Sequence, residues 1–346
     1  MEDMNKQRLD RREFGGLCAA LVSSLPAVSA MLAGLSGASA FAAATGTDSN
    51  VAGHMVKFRD GTVVPALGQG SWHLGQGRHP AAVEEEALRT GLSLGMTLID
   101  TSEGYGDGRS EELIGRAIAG QRDRVFLVSK VDHMTADGII ARACEESLAR
   151  LGTDHFDLYL AHWRDRSTDL SVVVTAFESL RTAGKIRAWG VSNFSVNDME
   201  ELFKIPHGDR CATNQVLYNL GSRDIEDDLL PWCEQHGMPV MAYSPLGGLG
   251  TSLLHDPTLE SIGAAHGCTS AAVALAWAIR SGNVIAIPES GLAAHVTENA
   301  VALSLTLTPQ ELRTIDAAHP PPDLYHRVFR QLKQRLKAAA RRVGLY

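Results

Sequence analysis

No C-x-x-C pair occurs among the five cysteines, Cys18, Cys144, Cys211, Cys233 and Cys268, and no histidine cluster has metal-ligand spacing. Dithiol redox and structural-metal chemistry therefore have no support, and buried single thiols are the expected state of the last four cysteines. Also missing is the phosphate-binding fingerprint G-x-G-x-x-G between a first strand and its helix. Gly68-Gln69-Gly70-Ser71-Trp72-His73 fails that spacing, and so does Gly104-Tyr105-Gly106-Asp107-Gly108-Arg109, which counts against a doubly wound dinucleotide fold. Basic charge is scarce through the body. Residues 45–322 carry 21 Lys and Arg against 35 Asp and Glu, and this argues against nucleic acid as a partner, since phosphate binding needs clustered cations.

What is present divides into three segments. Residues 1–44 hold Asp10-Arg11-Arg12-Glu13-Phe14, followed by an uncharged, Ala-, Gly- and Ser-rich stretch with small-residue sites at Ala38-Ser39-Ala40 and Ala42-Ala43-Ala44. This resembles a twin-arginine signal peptide, implying recognition by the twin-arginine export machinery and a periplasmic destination. An uncleaved membrane anchor is the rival reading, opposed by Pro26 and by the diluted hydrophobicity of the run. Residues 323–346 carry seven basic groups against one acidic, with Leu324, Val328, Phe329, Leu332 and Leu336 at helical spacing. Such a basic amphipathic C-terminal helix would dock on the acidic body, or make weak contact with an anionic membrane surface.

The middle segment, 45–322, repeats one unit. Met55–Val64 reads as a hairpin turning at Asp60-Gly61 and plugging one end of the fold. Eight strand-helix pairs follow, their strands predicted at 66–72, 97–101, 125–131, 156–161, 186–192, 213–218, 240–245 and 284–288. Eight such units in about 240 residues match a (β/α)8 TIM barrel, which typically takes about 250. The expected architecture is an α/β barrel with an N-terminal β-hairpin and extra C-terminal helices.

At the carboxyl ends of three consecutive predicted strands, where barrels place their chemistry, fall Asp100 with Tyr105, Lys130 and His162. A carbonyl receiving hydride gathers negative charge on oxygen, so a positioned acid must supply a proton. A free phenol, with a pKa of about 10, donates poorly at neutral pH. Lys130 beside Tyr105 would favour the phenolate and lower that pKa, while Asp100 would hold Lys130 charged and aimed. His162 would hydrogen-bond the substrate oxygen. Singly, each residue is more often structural: an ion pair, a loop anchor or a satisfied core histidine. Their coincidence at adjacent strand ends favours catalysis.

The motifs carrying these residues resemble those of aldo-keto reductases. Gly95–Gly106, Val128-Ser129-Lys130-Val131, Leu160-Ala161-His162-Trp163, Gly190–Phe194, Asn214–Asn219 and Tyr243–Gly247 occur in the family's order between residues 55 and about 318. Cys211–Tyr218 and Asp228–Cys233 are similar to a bacterial branch associated with methylglyoxal reduction. The resemblance implies a nicotinamide dinucleotide, NADP or NAD, across the barrel mouth. Ser192, Asn193 and Gln215 would meet its carboxamide, Tyr243 would stack on its ring, and Ser244, Leu246 and Gly247 would open a glycine-hinged loop over its pyrophosphate.

One stretch departs from the family. Where Ile-Pro-Lys and a later Arg usually grip the 2′-phosphate, this chain has Ile287-Pro288-Glu289-Ser290 and His295, although Glu298 and Asn299 still match the adenosine end. A carboxylate repels phosphate but accepts from a free ribose hydroxyl, so the preference stands open and leans toward NAD. Trp72, His73 and Trp163, with Tyr105 and His162, suggest a small aromatic-walled pocket for short aldehydes or ketones, 2-oxoaldehydes such as methylglyoxal included. The expected function is NAD(P)-dependent reduction of such a carbonyl to the alcohol. The alternative is a non-catalytic nucleotide-binding sensor or adaptor, which has no need of Tyr105 and Lys130 together.

Overall fold

The computed structural model describes residues 54–132, 137–164, 167–248 and 252–321, so segment 1–44, expected to be an export signal, and the basic tail 323–346, expected to be an amphipathic helix, lie outside the described residues. A hairpin of β1 (Met55–Lys57) and β2 (Val63–Pro65) comes first, with Gly61 at φ +94 in its turn. Then come β3 (Gln69–Gly70), α1 (Ala81–Ser93), β4 (Leu98–Asp100), α2 (Arg109–Ile118), β5 (Phe126–Val131), α3 (Asp137–Leu151), β6 (Phe156–Ala161) and α4 (Leu170–Thr182). The second half holds β7 (Ile186–Ser192), α5 (Val196–Phe203), β8 (Asn214–Leu217), α6 (Leu229–Gln235), β9 (Val240–Tyr243), α7 (Pro257–His266), α8 (Ser270–Ile279), β10 (Val284–Ile287), α9 (Ala293–Ala300) and α10 (Pro309–Ala318).

Strands β3 to β10 form one sheet in sequence order, every neighbouring pair parallel. Isolated parallel bridges Leu67↔Ala286 and Gly70↔Glu289 bring the first and last strands together, through Gly68 N to Ala286 O at 2.8 Å and Gly70 N to Pro288 O at 2.9 Å. The result is the expected (β/α)8 barrel. Its first strand is shorter than the predicted 66–72, because the chain there pairs in bridges rather than in a continuous ladder.

Alternation along each strand sorts side chains into two apolar clusters. Leu98, Val128, Leu158 and Leu160 belong to the cluster that includes the hairpin, whereas Ile99, Leu127, Val131 and Tyr159 pack in the other. The period places Asp100 on the face of Leu98 and Lys130 on the face of Val128. Phe58 of the hairpin stacks on Phe126 at the start of β5, with centroids 5.7 Å apart, so the plug closes the amino ends of the strands. The mouth is left at the other end.

Local signals fix the helix starts. Ser195 with Asp198 and Thr308 with Glu311 form capping boxes on α5 and α10, and Asp256 caps α7 through Thr258 N and Leu259 N with Pro257 at its first turn. Helix α7 and the 3-10 turn Leu253–His255 are a correction to the glycine-hinged loop expected to open at Ser244, Leu246 and Gly247, because the chain beyond it is helical before α8 begins. The four cysteines of the body are free thiols, and burial pushes Cys144, Cys211 and Cys233 up to about 12, which leaves them unreactive at neutral pH.

Candidate active site

Residues from five neighbouring strands converge at the mouth. Asp100 is the last residue of β4, Lys130 the penultimate residue of β5, His162 follows β6, and Gln215 lies in β8 opposite Ser192, the last residue of β7. Tyr105 comes from the loop after β4, just before Gly106, Asp107 and Gly108, three consecutive left-handed residues that turn the chain into α2.

Lys130 is fully buried, and its Nζ donates to Asp100 Oδ1 at 2.6 Å, to Thr101 O at 2.7 Å and to Tyr105 Oη at 3.1 Å. Three acceptors satisfy the three ammonium hydrogens. The second carboxylate oxygen of Asp100 accepts from Gln215 Nε2 at 2.7 Å, so neither member of the buried pair lacks a partner. Burial alone depresses the Lys130 pKa, but the charge of Asp100 and the bonds to Asp100 and Tyr105 together lift it above its ordinary value. The lysine is cationic at neutral pH.

Tyr105 does not follow the sequence expectation. Lys130 does pull its pKa down, but burial pushes it up more strongly and Asp100 adds to the rise, so the phenol stands above its ordinary 10.0 and keeps its proton. What Lys130 offers is therefore a waiting counter-charge rather than a ready phenolate.

His162 presents its ring edge-on to Tyr105, with centroids 6.0 Å apart, and stacks on the exposed Trp163. Its Nδ1 is hydrogen-bonded to Asp132 Oδ1, and Ser102 Oγ donates to that same oxygen at 3.1 Å. Asp132, directly after β5, is a residue the sequence reading missed. Desolvation would raise its pKa, but the bonds from His162 and Ser102 outweigh it and hold Asp132 below the usual carboxylate range.

The residues expected around the nicotinamide also come together. Asn193, at φ +61, donates from Nδ2 to Ser192 Oγ at 3.0 Å and to His162 O at 3.3 Å, Tyr243 Oη donates to Asn193 Oδ1 at 3.0 Å, and Ser192 Oγ donates to Gln215 O at 2.8 Å. This polar patch is continuous with the acid site through Gln215 and Asp100. Ser244 is left-handed at φ +48 and accepts from Gly247 N at 2.9 Å, so the expected hinge begins as a tight turn, with Leu246 half-buried on the core. Leu249 and Gly250 lie outside the described residues.

The opposite rim is arranged differently from the sequence reading. Glu289 accepts from His73 N at 2.9 Å, meets His73 Nδ1 at 3.0 Å and lies 4.0 Å from Arg78, so His73, expected against substrate, is committed to the residue expected against cofactor. Trp72 is exposed and stacks on His73 at 4.5 Å. Ser290 Oγ turns back to Leu292, while on α9 His295 and Glu298 are exposed and Asn299 is buried.

A parallel barrel whose mouth holds a buried lysine, a protonated phenol and an imidazole, beside a patch of amide and hydroxyl groups, suits proton transfer to an oxygen that is gaining charge. Among proteins of known role, the methylglyoxal reductase YeaE of Escherichia coli (strain K12) is 50% identical over 272 residues, which span 78% of this chain and 95% of that protein. A crystal structure of an aldo/keto reductase from Klebsiella pneumoniae in complex with NADP and acetate superposes with a TM-score of 0.76 at 47% identity, covering 79% of this chain and 97% of that one. The thermostable aldo-keto reductase Tm1743, solved with the inhibitor epalrestat, gives a TM-score of 0.69 at 37% identity over 76% of this chain and 98% of its own. Residues 66–320 match the aldo/keto reductase family as a whole. With the fold, the order of the motifs and these likenesses in agreement, the chain belongs to the aldo/keto reductase family.

Proposed function

We propose that the protein reduces a small aldehyde or ketone to the alcohol, with Tyr105 as proton donor. The observation that carries this reading is the buried Lys130 ammonium, held by Asp100 at 2.6 Å and facing the Tyr105 hydroxyl at 3.1 Å. A nicotinamide dinucleotide fits the neighbouring patch: a carboxamide offers one donor and one acceptor group, and Ser192, Asn193 and Gln215 present both complements, with the half-buried Tyr243 ring tethered beside them. When bound, the dinucleotide would supply hydride to the carbonyl carbon. Tyr105 holds its proton until charge develops on the carbonyl oxygen, then passes it to that oxygen while Lys130 stabilises the phenolate left behind. Thr101 O and Asp100 keep Lys130 in place during the transfer.

The likeness to a methylglyoxal reductase, with Trp163 stacked on His162 at the mouth, supports a short 2-oxoaldehyde as substrate. For the cofactor, weakened selectivity for NADP follows from Glu289, a carboxylate at the expected phosphate rim, although its pairing with His73 and Arg78 mutes its charge. Export to the periplasm is supported by the Arg11-Arg12 segment alone, and cell fractionation of an Arg11→Lys, Arg12→Lys double variant tests it.

A panel of carbonyls, methylglyoxal included, assayed with NADH and with NADPH tests the main reading. Tyr105→Phe should cut kcat by about 10²–10⁴-fold while leaving the dinucleotide Kd unchanged. Tight dinucleotide binding with no turnover of any carbonyl would instead mark a binding module.

A further inference from the structure

Asp132 is not needed to place Lys130 or Tyr105, yet it is built into the mouth with care. Its Oδ1 holds His162 Nδ1 and accepts from Ser102 Oγ, its backbone N donates to Glu103 Oε1 at 2.7 Å, and its Oδ2 lies over Gly104. A Cβ at residue 104 would stand 2.0 Å from that oxygen. Gly104 is not among the left-handed glycines, so it is the space filled by Asp132, rather than the backbone angle, that calls for glycine there.

We propose that Asp132 fixes the proton of the neutral His162 ring on Nδ1, so that Nε2, the nitrogen left for substrate, donates a hydrogen bond only when the ring is doubly protonated. An ionised carboxylate only accepts, so the nitrogen facing it must carry hydrogen, and a neutral imidazole has a single N–H. A neutral His162 thus turns a bare Nε2 toward a carbonyl oxygen, two acceptors face to face. The imidazolium donates from both nitrogens. Among the described residues, the other charged or titratable groups around this pair are Tyr105, edge-on from the β4 loop, Glu103 on the Asp132 backbone, and Lys130 on β5, while Arg164 beyond Trp163 is taken up by Glu201. Asp132 is thereby a positioning residue, and the consequence for turnover rests on the reductase reading above. Carbonyl reduction should need the His162 imidazolium, whereas a neutral ring suits acceptance of a hydrogen bond from the alcohol.

The full-length protein labelled with ¹⁵N-histidine, followed by long-range ¹H–¹⁵N spectra between about pH 5 and 9, reads the tautomer directly. The His162 signals are assigned by their loss in His162→Gln. The neutral wild-type ring should be protonated at Nδ1, and Asp132→Ala should move the proton toward Nε2. Gly104→Ala, which crowds the carboxylate without removing it, should shift the balance the same way. In parallel, wild-type kcat/KM for methylglyoxal should fall about tenfold per pH unit once the ring loses its second proton, and Asp132→Ala should flatten that limb. A neutral wild-type ring protonated at Nε2, a tautomer unmoved by Asp132→Ala, or a wild-type limb that stays flat would each overturn the proposal. An Nδ1–H ring in a protein that turns over no carbonyl at any pH would sink the reductase reading and leave the tautomer assignment standing.

Discussion

Lys130 carries more of this molecule than one proton transfer. It is fully buried and joins β4, β5 and the loop of Tyr105 through three hydrogen bonds. Lys130→Met should destabilise the fold by about 3–5 kcal/mol, because the buried Asp100 carboxyl would lose its cation and be left with Gln215 as its remaining side-chain partner. Denaturant unfolding of wild type and variant measures the difference, and a change well under 1 kcal/mol would show that water reaches Asp100. At this scale the sequence was generous: Asp100, Tyr105, Lys130 and His162 sit in runs whose apolar stretches mark strand ends without ambiguity. Asp132 was passed over because a polar residue just after a strand reads as ordinary loop, and only the return of β6 alongside β5 shows which imidazole it faces. The direction of the Tyr105 pKa was misread for a related reason. Sequence shows the neighbouring charge but not the depth of burial that outweighs it.

Among the elements, α1 and α4 are tied to the sheet by side chains that a helical period does not reveal. Gln69 of β3 is buried and donates to Leu88 O at 3.2 Å and Met96 O at 3.0 Å, and its amide occupies the space beside Gly91 in α1, where a Cβ would stand 2.2 Å from Gln69 Oε1. Gly91→Ala, worth nearly 1 kcal/mol of helix propensity in an exposed helix, should here lose about 1–2 kcal/mol net through overpacking. A raised Tm for that variant would show that Gln69 can move aside at no cost. On α4, Glu178 gathers Arg181, Arg210 and the buried Trp189 Nε1, the last at 2.8 Å. Burial would raise its pKa, but these bonds prevail and hold it at about 2 against an ordinary 4.5. A depressed folded-state pKa means stability that is present above about pH 4.5 and lost as pH falls toward 2. Stability against pH over that window should therefore be shallower in Glu178→Gln than in wild type, while at neutral pH the variant should be the weaker protein. Helix α7 was legible after all in Asp256-Pro257, a cap followed by a first-turn proline, but the preceding glycines drew the reading toward loop.

For the molecule as a whole, the count of eight strand-helix units was enough to name the architecture, since few closed sheets accommodate that number and few connections are that short. What the count could not convey was how the circle is completed. Strand β3 has two residues in the ladder, and its meeting with β10 rests on isolated bridges, with Glu289 reaching across to His73, 216 positions away in the chain. The side chain proposed to bias the choice of dinucleotide is thus also a clasp on the thinnest join of the cylinder. Glu289→Lys should tighten NADPH binding relative to NADH and, in the same protein, lower Tm and speed amide exchange at Gly68, Gly70 and Ala286. Gain of NADPH affinity with an unchanged Tm would separate the two roles. If they are coupled, drift toward one coenzyme cannot proceed by a lone exchange at this position; a second substitution must first re-fasten the ends of the sheet, and the route between coenzymes is a two-step path with an unstable middle.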